Sequence, residues 1–237
     1  MVDPKSVVCI YKVKSDIVGD NFVPDNVPGE APLKWAPGIV TWKLVNETGD
    51  IPDGEMVHTA FALAFTHWGL FTKDISFHRV YGDVKADITI KFVVDPSTFA
   101  SASTLAMTYY PNPNNPSITS LFNNDMHLIW SLDGKPITCA QALKQGNAIG
   151  CVDPNELLQT INLLQVALHE MGHAIGLVHT NDCPKCTMYP FYHNDMELQP
   201  QEISIVQQMY GKRIIPQWVI DNFTSILNRI KNLGRYI

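Results

Sequence analysis

The chain has 237 residues, of which 46% are hydrophobic and 17% charged, a balance that supports a proper core and fits one domain with extensions or at most two small ones. No stretch approaches the eighteen or so consecutive apolar residues of a membrane span, so a soluble globular protein is expected. The net charge is −6 and no basic run precedes the C-terminus, which argues against nucleic acid as a partner.

In chain order, residues 1–35 are rich in proline and turn residues and are read as an N-terminal extension with one short strand candidate, VVCIYKVK. MVDPKSVVC has no apolar core of a signal peptide. IVTWKLV follows with period-two alternation, a strand with Trp42 and Leu44 on one side. Asp53 then caps a helix, GEMVHTAFALAFTHWG, whose Val57, Phe61, Phe65 and Trp68 make an apolar stripe; His58 and His67 on it are expected to be exposed. ISFHRV, ADITIKFVV, TLAMTYYP and DMHLIW are further strand candidates.

Five cysteines come next into play. Cys139 and Cys151 bracket ITCAQALKQGNAIGC, and a disulfide there would close a loop of about a dozen residues and contribute roughly 2–3 kcal/mol. Cys183 and Cys186 form CPKC, which is open to a disulfide, a redox pair or half a zinc site; without a second CxxC the local disulfide is favoured. Cys9 is left odd.

Asp153-Pro154-Asn155-Glu156 reads as the start of a helix continuing through ELLQTINLLQVALHEMGHAIG. Leu157, Ile161, Leu164, Leu168 and Ile175 recur at helical spacing, so one face should be buried with the histidines on a neighbouring one. His169 and His173, four apart, share a face of that helix, and Gly176 can end it in a left-handed conformation so that His179 turns back. Three neutral imidazoles with an open fourth position are the ligand set of a catalytic zinc. Glu170, beside the first ligand, is placed to take a proton from a water whose pKa the metal lowers to about 7. A chance match to the whole HExxHxxGxxH pattern in a chain this long is on the order of 10⁻⁵. Beyond it, residues 217–234 predict an amphipathic helix with Trp218, Phe223, Ile226, Leu227, Ile230 and Leu233 on its apolar face. That face is expected to dock on the protein itself, with a partner or membrane-surface contact as the alternative.

The HExxHxxGxxH stretch and Met188 in TMYPFY resemble the metzincin zinc peptidases. The closer likeness is to the matrixins, the catalytic domains of matrix metalloproteinases. It rests on Thr180 after the third histidine, Met188-Tyr189-Pro190, LKWAPGIVTWKLVN, AFTHWG, ADITIKF and LQPQEISIVQQMYG, over roughly residues 34–211. The resemblance implies an α+β fold: a twisted, mostly parallel five-stranded sheet packed on a backing helix and the zinc-binding active-site helix, then a small C-terminal subdomain with the methionine turn and a final helix. It implies a peptidase domain over 36–212, with 213–237 as a helical extension. Met188 would be an apolar floor under the ligands. Leu105 and Ala106 would lie in the sheet edge above the cleft, free to receive an extended peptide by strand addition. Pro190, Phe191 and Tyr192 would line an apolar pocket for the residue after the cleaved bond.

Departures from the family pattern carry their own expectations. The family's second, structural zinc uses HGD, LAHA and HFD segments; this chain reads DPSTFAS and LAMT at the first two, and only His127 matches the third. One imidazole cannot hold zinc, so one catalytic ion is expected. The calcium loop is replaced by PNPNNPSITS, whose oxygens lack carboxylate charge, which leaves calcium open. The latency motif PRCGxPD is absent around Cys9, which reads SVVCIYK. Two functions follow: a zinc endopeptidase cutting extended polypeptide, or a binding module with a non-catalytic zinc. An intact Glu170 favours the first. The cysteine pairs and the resemblance point to a secreted protein, against an intracellular or particle-associated one.

Overall fold

The computed structural model describes residues 8–12, 33–99, 101, 103–112, 117–125, 128–146, 153–193 and 195–233. A short strand, β1 (Val8–Lys12), precedes β2 (Gly38–Leu44), where Val40 and Trp42, two residues apart, both turn to the buried face. The Asp53 side chain accepts the Glu55 N–H and so caps α1 (Gly54–Phe71). Val57, Phe61, Phe65 and Trp68 recur at helical spacing along α1 and all are buried, each contributing about 1.5–3 kcal/mol.

Strands β3 (Ile75–Arg79), β4 (Ile88–Val93), β5 (Thr104–Tyr109) and β6 (Ile118–Asn123) follow. With β2 they make the expected mostly parallel sheet of five: β2 pairs parallel with β3 and β4, β4 parallel with β6, and β5 antiparallel with β6. The N-terminal segment adds a sixth strand at the edge, giving the order β1-β5-β6-β4-β2-β3. The edge of β5 is therefore not free, contrary to expectation: β1 pairs with it antiparallel, Ile10 opposite Met107 and Tyr11 opposite Ala106.

The fifth strand of the expected sheet is β6 and not DMHLIW. Ile118, Ser120 and Phe122 alternate inward on the pleat, and the run is continuous with the sheet. Between β6 and the next long helix lie four two-residue strands and one helical turn and a half: β7 (Trp130–Ser131), β8 (Ile137–Thr138), α2 (Cys139–Lys144), β9 (Leu157–Leu158) and β10 (Ile161–Asn162). Trp130–Ser131 belongs to a separate small sheet with β10, in parallel. His127 lies outside the described residues, as do Cys151 and residues 113–116 of the PNPNNPSITS stretch.

The long helices are α3 (Leu163–Ala174), α4 (Pro200–Tyr210) and α5 (Gln217–Leu233). α3 begins at Leu163 and not at Glu156. Leu157 and Leu158 are held extended opposite Thr138 and Ile137, and Asp153 makes a turn, accepting the Asn155 N–H on its carboxylate and the Glu156 N–H on its carbonyl. Nor is α3 buried on one face only: every residue from Leu163 to Ala174 is buried, between α1 and the sheet. α5 docks on α1, with Phe223, Leu227 and Ile230 buried and the Phe223 ring 4.9 Å from the His67 imidazole. That contact explains why His67, expected at the surface, is only 7% exposed. His58 is half-buried too, its ring nitrogens engaged by Glu47 and Arg79. Among the described residues, no helix is long and apolar enough to cross a membrane.

Candidate active site

Asn162 sets the start of α3 by accepting the Gln165 N–H, and three side chains from distant parts of the chain fix its course. Trp68 Nε1 donates to the Leu168 carbonyl, Trp35 Nε1 to that of Ala174, and the Tyr210 hydroxyl to that of Ile175. The helix ends as its sequence demands. Gly176 adopts φ +96°, the Leu177 N–H returns to the Gly172 carbonyl, and the chain reverses towards His179. A Cβ on Gly176 would lie 1.9 Å from the Leu33 carbonyl oxygen, so close backbone approach as well as handedness requires glycine.

His169, His173 and His179 converge. Their Nε2 atoms are 3.0 Å apart for the first pair and 3.2 Å for each of the other two. The Nδ1–H of His169 donates to the Thr187 carbonyl at 2.6 Å and that of His173 to the Leu177 carbonyl at 2.7 Å, which fixes the tautomer and leaves Nε2 with its lone pair. Burial, and then the neighbouring imidazoles, hold the pKa of His169 and His173 well below the usual value; burial brings His179 to about 4. All three are therefore neutral at physiological pH, with Nε2 lone pairs available to a metal. Zinc bonded tetrahedrally to nitrogen at its usual length separates the nitrogens by about 3.3 Å, so the donor set fits that ion. Among the described residues it is the one group of three or more side chains able to hold a metal.

Glu170, one residue along, is fully buried. Its Oε2 accepts from the Thr108 hydroxyl of β5 at 2.5 Å, while Oε1 has no hydrogen-bond partner among the described residues. Burial raises its pKa to about 8, opposed by the Thr108 hydrogen bond. A buried carboxyl next to a candidate metal-binding histidine, held on one oxygen and open on the other, has the chemistry of a proton carrier.

Met188, 1% exposed, packs against Gly172 of α3, the residue before His173. Gly172 is a residue that the motif alone does not single out: a Cβ there would meet Met188 Sδ at 2.3 Å and Trp68 Cζ2 at 3.1 Å. Glu202 is another. Its buried carboxylate accepts the Met188 N–H at 2.7 Å and the Gln199 N–H at 2.9 Å, tying the methionine turn to the start of α4. The signal for it is present in QPQE, a capping box that enters the sequence reading only as part of a likeness. Just before the turn, Cys183 and Cys186 are joined by a disulfide. Cys139 is buried and disulfide-bonded; Cys151, its expected partner, is not among the described residues.

Leu105 and Ala106 are buried in β5, next to α3, while Pro190, Phe191 and Tyr192 are half-buried after the turn. The Tyr192 hydroxyl accepts the Asn162 N–H at 3.0 Å, which ties this wall to the start of α3.

The matrixin family model matches residues 34–211. Matrilysin of Felis catus is 30% identical over 224 residues, covering 90% of this chain and 72% of that protein. Matrix metalloproteinase-18 of Xenopus laevis is 28% identical over 226 residues, covering 91% of this chain but 41% of its own length. Matrilysin of Homo sapiens is 29% identical over 192 residues, covering 76% of this chain and 60% of that protein. A family model spanning most of the chain, with relatives aligned along nearly all of it, makes this protein a matrixin, a member of a family of zinc metalloendopeptidases.

Proposed function

We propose that the protein cleaves peptide bonds in extended polypeptides with one zinc held by His169, His173 and His179 and with Glu170 as general base. The observation that carries this reading is the convergence of three Nε2 atoms at 3.0–3.2 Å, each imidazole neutral, beside a carboxylate whose Oε1 is unpartnered among the described residues. When bound, zinc supplies a Lewis acid that polarises the carbonyl and acidifies water. Glu170 takes the proton of the attacking water on Oε1 as the water oxygen bonds to the carbonyl carbon. The same carboxyl then delivers that proton to the amine nitrogen as the C–N bond breaks. Met188 is the apolar floor that keeps the ligands in place.

Substrate lies along β5, whose Leu105 and Ala106 offer backbone groups, and it must displace β1 to do so. Pro190, Phe191 and Tyr192 wall an apolar pocket for the residue following the cleaved bond, with no charged group in YPFY. The peptidase unit is residues 36–212, with 1–35 and 213–237 as extensions. The Cys183–Cys186 disulfide and the bonded Cys139 favour an oxidising, extracellular setting. A proteome-derived peptide library tests the specificity: cleavage before bulky apolar residues, abolished by chelation and restored by zinc, is expected. A profile dominated by acidic or basic residues at that position would overturn the pocket assignment.

A further inference from the structure

Two hydroxyls stand where the interior of a sheet ordinarily carries apolar side chains. Thr108 of β5 and Ser120 of β6 are direct cross-strand partners, both 0% exposed, on the face that meets α3. Their oxygens are 2.6 Å apart, and Thr108 Oγ1 also reaches Glu170 Oε2 at 2.5 Å. Thr108 closes the LAMT segment, at the position where the LAHA segment of the family pattern has alanine, so the hydroxyl is a departure of this chain.

Resting on the reading of Glu170 as base, we propose that Thr108, backed by Ser120, is a positioning residue: its hydroxyl pins Oε2 so that Oε1 alone faces the reacting water and carries the proton. The direction of the hydrogen-bond chain follows from proton counting. In its role as base Glu170 is the ionised carboxylate, which only accepts; in that state the single Thr108 proton goes to Oε2, and Ser120 must donate to Thr108. The last torsion of a glutamate is broad, so an alanine-sized residue at 108 would leave the carboxylate free to rotate between equivalent oxygens. With Oε2 held, each collision with the water finds the same oxygen presented.

The test compares wild type with Thr108→Val, Thr108→Ser, Ser120→Ala and Glu170→Ala on one peptide substrate, each shown to hold one zinc. Thr108→Val keeps the branched shape without the hydroxyl and should lower kcat about 10- to 100-fold with KM unchanged. Thr108→Ser should restore kcat to within about threefold of wild type, and Ser120→Ala should fall between. In crystals of zinc-free Thr108→Val, the Glu170 carboxylate should occupy more than one rotamer, where the wild type occupies one. Wild-type kcat in Thr108→Val, with Glu170→Ala inactive, would overturn the positioning role alone. A loss in Thr108→Ser as large as in Thr108→Val would show that a hydroxyl at position 108 does not restore kcat and would overturn the role as well. Full activity in Glu170→Ala would instead overturn the underlying assignment of the base. Should Thr108→Val not fold, Ser120→Ala decides: a lowered kcat at constant KM supports the role, and wild-type kcat overturns it.

Discussion

At position 172 a single hydrogen atom separates the zinc helix from the methionine turn. A Cβ there would lie 2.3 Å from Met188 Sδ, which leaves no ordinary packing for alanine, and Trp68 closes the other side. Gly172→Ala must then shift α3 or Met188, and overpacking of this kind costs about 1–3 kcal/mol. The expected outcome is a lower melting temperature together with weaker zinc retention, because His173 is the next residue along; unchanged values of both in a thermal melt and a zinc titration would contradict the floor assigned to Met188. His67 gives a prediction in pH. Its pKa is lowered by burial to about 4 from 6.5, and Nδ1 has no partner among the described residues. Between those values the unfolded chain binds more protons than the folded one, so stability is complete above pH 6.5 and falls as the pH drops towards 4. The loss from this group is about 2 kcal/mol at pH 5. In His67→Phe the difference in unfolding free energy between about pH 8 and pH 5 should shrink by that amount, and identical differences in the two proteins would contradict the assignment.

At the scale of elements, the helix α1 was legible because its cap and its apolar stripe agree: Asp53 binds the Glu55 N–H, and the stripe residues are the buried ones. The start of α3 was not legible from capping signals alone. Asp153-Pro154 and Glu156 look like a helix start, yet pairing of Leu157 and Leu158 with a strand some twenty residues upstream overrides that local preference. The period-two pattern of Ile118, Ser120 and Phe122 is present, but its central inward position is polar, and Ser120 there hydrogen-bonds Thr108. Of the candidate site, His169, His173, His179 and Glu170 are singled out by spacing, and the three imidazoles do converge. Thr108 and the burial of His67 depend on contacts 62 and 156 residues apart in sequence, which no local pattern encodes, and for Glu202 the QPQE capping box signals the helix start but not the contact with Met188, 14 residues away. The strand β1 yields a further prediction. Because it occupies the edge of β5 antiparallel, it competes with an extended substrate for the same backbone groups. Deleting residues 1–32 should lower KM by at least about threefold, since the binding-competent fraction rises, while kcat stays near its original value. An unchanged KM in steady-state kinetics would show that β1 does not compete.

For the molecule as a whole, α1 and the sheet enclose α3, α5 packs on α1, and side chains from Trp35, Trp68 and Tyr210 clasp the backbone of α3 and the residue after it. Rigid support of this kind holds the three imidazoles within the small volume a metal requires. In the proposed mechanism that support serves hydrolysis, with Glu170 moving the proton and not holding the metal. Peptide-library cleavage by wild type and Glu170→Ala at equal zinc content separates these roles. One zinc per chain is expected in both, with cleavage by the wild type and loss of most activity in the variant, at least about 100-fold. Cleavage by zinc-loaded Glu170→Ala at the wild-type rate would contradict the role of Glu170 as base.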